Sequence, residues 1–187
     1  MAAPKDMTTL DITGRWIMNK TLSEDTSEIL TLQNVRWMTR TAIGLATITL
    51  DIKHFKDKEG VEHIDIQQTM TGGIKGTEEK RTLDSVERGH KDHIFGNVVG
   101  KTKRCKVEEV EDEYLKTGWE TAMVEEGVID SYVVNKEVDW VAHQIWGFEI
   151  INGEKRYVRH VRFEKKGNNA KVITRKLVYD YIGPIPE

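Results

Sequence analysis

The residues best equipped for chemistry lie in the last third of the chain, where polar and aromatic side chains alternate. Between Trp140 and Ile151, the residues Trp140, Ala142, Gln144, Trp146 and Phe148 fall on one face of an extended segment, and His143, Ile145 and Glu149 on the other. In the next run Tyr157, Arg159, Val161 and Phe163 share a face; in the last, Ile173, Arg175, Leu177, Tyr179 and Tyr181 do. If these three faces meet, they enclose an aromatic cavity with two guanidiniums and one carboxamide, a common composition for a small-molecule site. Arginine there would hold a carboxylate, phenolate or enolate by charge-assisted hydrogen bonds. The binding candidates are therefore Arg159, Arg175, Tyr179, Gln144, Trp146, Tyr157 and Phe163. In a catalytic version of the same site, Tyr157, Tyr179 and Gln144 would donate hydrogen bonds and Arg175 would stabilise developing charge. The alternative is that both arginines face solvent, because a one-residue slip in register inverts every such face.

Other reactive residues are less organised. His54 and His63 flank one turn without a third ligand, and His90 and His93 are three apart, on opposite faces of a strand. No metal site is expected. His143 and His160, potential general bases, fall on the faces expected to point outward. Cys105 sits in Lys101-Thr-Lys-Arg-Cys-Lys106, where positive charge favours a thiolate, but no His adjoins it in sequence; a reactive thiol and an ordinary cysteine both remain open. Gly72-Gly73-x-x-Gly76 lacks the Lys-Ser/Thr of a phosphate loop and reads as a turn. Asn19-Lys-Thr21 is a glycosylation sequon that matters only in a secreted chain.

Composition narrows the class. The chain has 187 residues, with 28 basic against 31 acidic ones and a formal net charge of −3. That balance argues against nucleic acid as a partner, since phosphate binding needs a basic excess. No run approaches the ~20 apolar residues of a membrane span, and the N-terminus lacks a secretory pattern. One cysteine excludes a disulfide framework within the chain. The expectation is a single cytoplasmic domain spanning residues 1–187.

The elements that must position the candidates follow from periodicity. Leu10 to Met18 reads as a first strand. Residues 23–46 read as two short helices broken near Gln33-Asn34, each with one apolar face that needs a partner. From Thr47 the period falls to two: Ile48, Leu50 and Ile52 alternate with Thr49, Asp51 and Lys53, and a hairpin partner follows over Val61 to Met70. Thr77 to Leu83 is a polar strand candidate, and His90 to Val107 another strand or hairpin. Residues 108–137 read as an acidic insertion, partly helical or else a flexible loop; Glu108 to Asp130 holds nine acidic residues against one Lys116. Its expected place is over part of the opening that the lid covers or over part of the opposite one. Three long strands close the chain over Trp140 to Ile151, Lys155 to Lys165 and Ala170 to Ile182, joined at Asn152-Gly153 and Lys166-Gly-Asn-Asn169. The fold expected is mainly β: a closed antiparallel barrel with a helix–turn–helix lid.

Gly14-Arg-Trp16 resembles the G-x-W signature of the calycins, the lipocalins and fatty-acid-binding proteins. The order GRWIMNK, a helical pair, then LQNVRWMTRTAIGLATITLDI is similar to the intracellular fatty-acid-binding proteins, with Val35 and Thr39-Arg40 at the places of that family's Val…Thr-Arg pattern. The resemblance covers about residues 10–86 and, more loosely, 138–183. It implies that Trp16 plugs the barrel base, covered by a basic side chain from a late strand, and that Arg159 matches the family's inward arginine. The family's terminal Arg-x-Tyr is not met, because Arg175 and Tyr179 stand four apart. The resemblance implies first an intracellular carrier for a hydrophobic, acidic or phenolic small molecule. The alternative is a cofactor-independent cyclase or isomerase acting on a natural-product intermediate, because calycin-like barrels also host such reactions. Neither reading calls for a cofactor, nucleic acid or membrane insertion.

Overall fold

The computed structural model describes residues 1–72 and 76–186. Ten strands are present among them: β1 (Gly14–Met18), β2 (Ile48–Lys56), β3 (Glu62–Met70), β4 (Glu78–Thr82), β5 (Arg88–Asp92), β6 (Gly96–Cys105), β7 (Val128–Asn135), β8 (Trp140–Ile151), β9 (Glu154–Lys165) and β10 (Lys171–Gly183). They form one antiparallel sheet in the order β4-β3-β2-β1-β10-β9-β8-β7-β6-β5. The sheet curls until β4 lies against β6, and the Ser85 N–H after β4 donates to the Thr102 carbonyl at 3.0 Å. The expected barrel is present, but β4 and β5 share no backbone ladder, so a seam runs between its two edges.

The two late hairpins form as expected. Asn152 and Gly153 both have positive φ, 53° and 78°, the geometry of a tight turn that matches the twist of its strands. Their register sets Trp146 opposite Arg159, Gln144 opposite Val161 and Ala142 opposite Phe163. The three faces singled out in sequence turn inward: Trp146, Phe148, Tyr157 and Phe163 are fully buried.

Trp16 plugs one end of the barrel. Its indole N–H donates to the Ile12 carbonyl at 3.1 Å, and its ring packs on Phe148, Tyr157 and Tyr181. Gly14 is required there, since a Cβ would stand 2.5 Å from the Tyr181 ring. The basic side chain expected over Trp16 covers Trp146 instead: the Arg159 guanidinium carbon is 4.0 Å from that ring centroid. The same end is tied by Glu62, which accepts from Arg104 and meets His54 Nε2 at 2.7 Å.

The lid consists of α1 (Ser27–Leu32) and α2 (Trp37–Leu45), broken at Asn34, whose φ is 63°. Ile29 of α1 is buried against Trp140, Ala142, Val161, Phe163 and Ile173, which seats the lid over the end of the barrel opposite Trp16. The sequon residue Asn19 caps the chain entering the lid: its side-chain oxygen accepts from the backbone of Thr21 and Leu22, and its amide donates to Asp180. The turn containing Gly73 and the two residues after it lies outside the described residues.

The acidic stretch departs from expectation in extent and position. Its helical part is a 3-10 turn at Val107–Glu109, α3 (Glu113–Lys116) and α4 (Ala122–Glu126), whereas residues 128–135 are a core strand, β7. Among the described residues none of this helical part lines the cavity; it lies on the outer wall of β8 and β9. Trp119 fits over Gly147, where a Cβ would stand 2.8 Å from its ring, and stacks on His160 with centroids 4.3 Å apart. His160 faces outward as expected, yet the covering segment leaves it only 2% exposed. Its Nδ1 lies 3.1 Å from the Tyr114 carbonyl and its Nε2 2.5 Å from Glu149, which also accepts from Lys176 at 2.7 Å. Burial raises the Glu149 carboxyl, but the bonds to His160 and Lys176 outweigh it and hold the group ionised.

No helix among the described residues is long and apolar enough to cross a membrane.

Candidate functional site

Between the lid and the seam lies a cavity of about 550 Å³, walled by β4, β5 and β6 on one side and by β7 and β8 on the other, with Gln33 of the lid at its rim. This is within the range of ligand pockets, about 300–1,000 Å³. Phe95, Val98, Val133, Trp140 and Ala142 supply its apolar surface. Glu79, Arg81, Thr102 and Gln144 supply polar groups on its walls, and Glu78, Lys80, Arg88, His90, Asp92 and Lys101 add further charged and polar ones.

Alternation explains that mixture. The register aligns Thr102, Ser131, Gln144 and Val161 across β6, β7, β8 and β9, and the next row aligns Gly100, Val133, Ala142 and Phe163. Small residues at Gly100 and Ala142 leave the second row hollow. Trp146 donates its indole N–H to the Gln144 side-chain oxygen at 2.9 Å. That bond fixes the orientation of the carboxamide, so the group Gln144 can offer a ligand is its NH2.

Behind Gln144 and Glu79 stands the charged layer. Arg159, with its side chain 6% exposed, donates from Nε to the Tyr157 hydroxyl at 3.0 Å, and its Nη1 is 3.8 Å from Glu79 Oε1. Glu79 Oε2 accepts from Arg81 Nε at 3.1 Å and Nη2 at 2.6 Å. Burial raises the Glu79 carboxyl, but the charges of Arg81 and Arg159 outweigh it and hold it below the usual carboxylate range. Burial pushes the Tyr157 and Tyr179 phenols up, so both stay protonated at neutral pH. Arginine does not deprotonate in proteins. The layer therefore sets two guanidiniums against one carboxylate, an excess of one positive charge. Arg159 Nη2 is buried without a hydrogen-bond partner, as are Ser131 Oγ and, farther along β8, Trp140 Nε1. An orphaned buried donor costs about 1–3 kcal/mol, more when charged.

The structure brings together six of the seven sequence candidates and separates one. Gln144 lines the cavity itself. Arg159, Tyr157, Tyr179 and Trp146 form the packed layer beside it, and Phe163 packs under Trp140. Arg175 has the expected inward register, opposite Val161, but its guanidinium reaches up to the lid, donating to the carbonyls of Asp25 (2.6 Å) and Thr174 (2.7 Å). Sequence reasoning missed Glu79 and Arg81 as site residues. Their i, i+2 spacing in a wholly polar strand was the available signal, and it looks the same as a solvated edge. Cys105 is buried, and burial pushes its thiol up to about 11, against the lowering by Lys103 and Arg104; it is not a ready nucleophile. Among the described residues no group of three or more His, Cys, Asp or Glu is placed to hold a metal ion.

The architecture is that of the fatty-acid-binding proteins. The chain superposes on the REP1-NXSQ fatty acid transporter (TM-score 0.54, 16% identity, 92% of this chain and 96% of that one). It also superposes on a Schistosoma mansoni fatty acid binding protein solved with arachidonic acid (0.56, 13%, 91% and 96%) and on the fluorescent protein UnaG (0.54, 12%, 91% and 97%). At these identities the likeness is one of fold. No protein-family model matches the chain. Two curated proteins match over nearly their whole lengths. The probable pericyclase scpY of Mollisia scopiformis is 31% identical over 186 residues, covering 98% of this chain and 96% of its own. The pericyclase pydY of Acremonium sp is 29% identical over 187 residues, covering 98% of each.

Proposed function

The chain belongs to the family of the pericyclases scpY and pydY, and from that premise we propose that it catalyses a pericyclic ring closure or rearrangement of a hydrophobic small molecule bearing an acidic group. The observation that carries the chemistry of the substrate is Arg159. It is a buried guanidinium whose Nη2 has no hydrogen-bond partner, in a layer with one excess positive charge, beside a cavity of mixed polar and apolar lining. An anionic oxygen is the group that would complete that layer.

A pericyclic step redistributes electrons within one substrate through a cyclic transition state, so its balance requires no oxidant, reductant or proton donor. What a protein can add is shape and polarity. The hollow row at Gly100, Val133 and Ala142 would hold the apolar chain in a folded, near-attack form, the kind of restriction that supplies effective molarity. The Gln144 NH2, Arg81 and Arg159 would draw electron density toward an activating carbonyl or its anion as the ring forms. Removing one such preorganised donor typically costs about 10²–10³ in rate. Tyr157 and Tyr179, held neutral, would act by packing and orienting Arg159.

The assay offers the purified protein a small-molecule extract of its source and follows the mixture by mass spectrometry against a no-protein control. A compound that falls while an isomer of equal mass rises is the expected result. Gln144→Leu should slow that conversion more than it weakens binding. Equal loss of rate and binding in Gln144→Leu would remove the transition-state role assigned to that amide.

A further inference from the structure

Glu79 stands where a substrate anion would be repelled. Its carboxylate lines the cavity, takes two hydrogen bonds from Arg81, and faces Arg159 Nη1 at 3.8 Å, too long for a hydrogen bond. Arg159 Nη2 meanwhile has no partner. Glu79 therefore neutralises part of the positive layer without saturating it. We propose that Glu79 is a resident counter-ion that sets the acid-versus-neutral preference of the cavity, holding the affinity for an acidic ligand below what Arg81 and Arg159 would otherwise give. The inference rests on the reading of Arg159 as the anchor for an acidic group.

The physical argument is one of charge. With Glu79 present the layer carries an excess of one positive charge, and an incoming anion at Arg159 Nη2 gains that excess but binds a guanidinium whose Nη1 already stands 3.8 Å from a like charge, the Glu79 carboxylate, which disfavours it. Removing the Glu79 charge leaves an excess of two and removes the repulsion. The cost falls on the folded protein, which must then hold two close guanidiniums without a carboxylate. Binding and stability should thus move in opposite directions, a pattern that a merely structural Glu79 would not give. The consequence for turnover is that an acidic product leaves rather than staying bound.

The test uses cis-parinaric acid, a fluorescent conjugated fatty acid, and its methyl ester as probes. Glu79→Gln is expected to bind the acid about tenfold more tightly than the unsubstituted chain, or better, with the ester unchanged within about twofold. Equal or weaker acid binding in Glu79→Gln, or an equal gain for the ester, overturns the inference. Arg159→Met separates this outcome from the reading beneath it. If Arg159→Met weakens the acid while Glu79→Gln fails to tighten it, the anchor stands and the counter-ion role falls. If Arg159→Met leaves the acid unaffected, the anchor falls and the inference with it. Should Glu79→Gln not fold, Glu79→Asp retracts the carboxylate from Arg159, and a smaller gain for the acid alone is the expected result; no gain overturns the inference.

Discussion

At Arg159 one long side chain joins the aromatic and the charged parts of the layer behind the cavity. It lies over Trp146, meets the Tyr157 hydroxyl, approaches Glu79 and still leaves Nη2 without a partner. Such a residue is poorly explained by stability. Burying a charge costs several kcal/mol per ion, recovered only where pairing is complete, and a cation–π contact of this kind returns about 0.5–2 kcal/mol. Arg159→Met, similar in length and apolar, is therefore expected to shift unfolding free energy by less than about 1 kcal/mol in either direction, measured by urea titration. A loss above about 3 kcal/mol would make Arg159 a structural residue, since breaking a complete buried pair costs that much. The sequence placed Arg159 on the correct face because Tyr157, Val161 and Phe163 flank it at alternate positions. Arg175 was placed on the same face and has that register, but its flexible four-bond side chain leaves the face for the Asp25 carbonyl just before the lid. Backbone period says where a Cβ points, not where a guanidinium ends.

The elements differ in how visible they were. β8, β9 and β10 could be read almost to the residue, because each alternates over its length and each turn carries Asn or Gly where positive φ is needed. β7 was absorbed into the acidic stretch, since composition dominated the reading although Val128 to Asn135 is rich in β-branched residues. β4 was expected as a polar strand over Thr77 to Leu83 and is one, but with no apolar residue on either face its sequence could not tell that Glu79 and Arg81 turn toward a cavity. The outer segment was recognised but could not be located, because the contact that locates it is steric and remote in sequence. Gly147 makes room for Trp119. Gly147→Ala should destabilise the protein by about 1–3 kcal/mol, the usual cost of overpacking. In a double-mutant cycle with Trp119→Ala, measured by thermal unfolding, the combined loss should be smaller than the sum. Strict additivity would mean that Trp119 does not sit on Gly147 in solution.

For the molecule as a whole, the closed end of the barrel predicts its acid behaviour. Glu62 is lowered to about 2: burial raises it, but bonds to His54 and Arg104 and the charges of both outweigh that. Because the folded value lies below the unfolded one, near 4.3, the contribution is complete above that value and is lost as pH falls toward 2. Melting temperatures should fall across that window in the unsubstituted chain, and Glu62→Gln should be less stable at pH 7 and show a shallower fall. Identical pH slopes would remove Glu62 from the account. The barrel as a whole was legible from the Gly14-Arg-Trp16 run, the helical pair and the strand meander, but a barrel supports many functions. Sequence reasoning put a carrier ahead of a cyclase or isomerase; the curated relatives scpY and pydY, named as pericyclases, support the enzyme reading as well.

Carrier and catalyst differ in one quantity, the amount of product per protein molecule. The decisive measurement is a time course of isomer formation with protein at about one hundredth of the substrate concentration, followed by chromatography and mass spectrometry. Catalysis gives an isomer of unchanged mass accumulating well past the amount of protein, at a rate proportional to protein. A plateau at one equivalent, or retention of unchanged compound released only on denaturation, would contradict the enzyme reading and leave the barrel as a carrier.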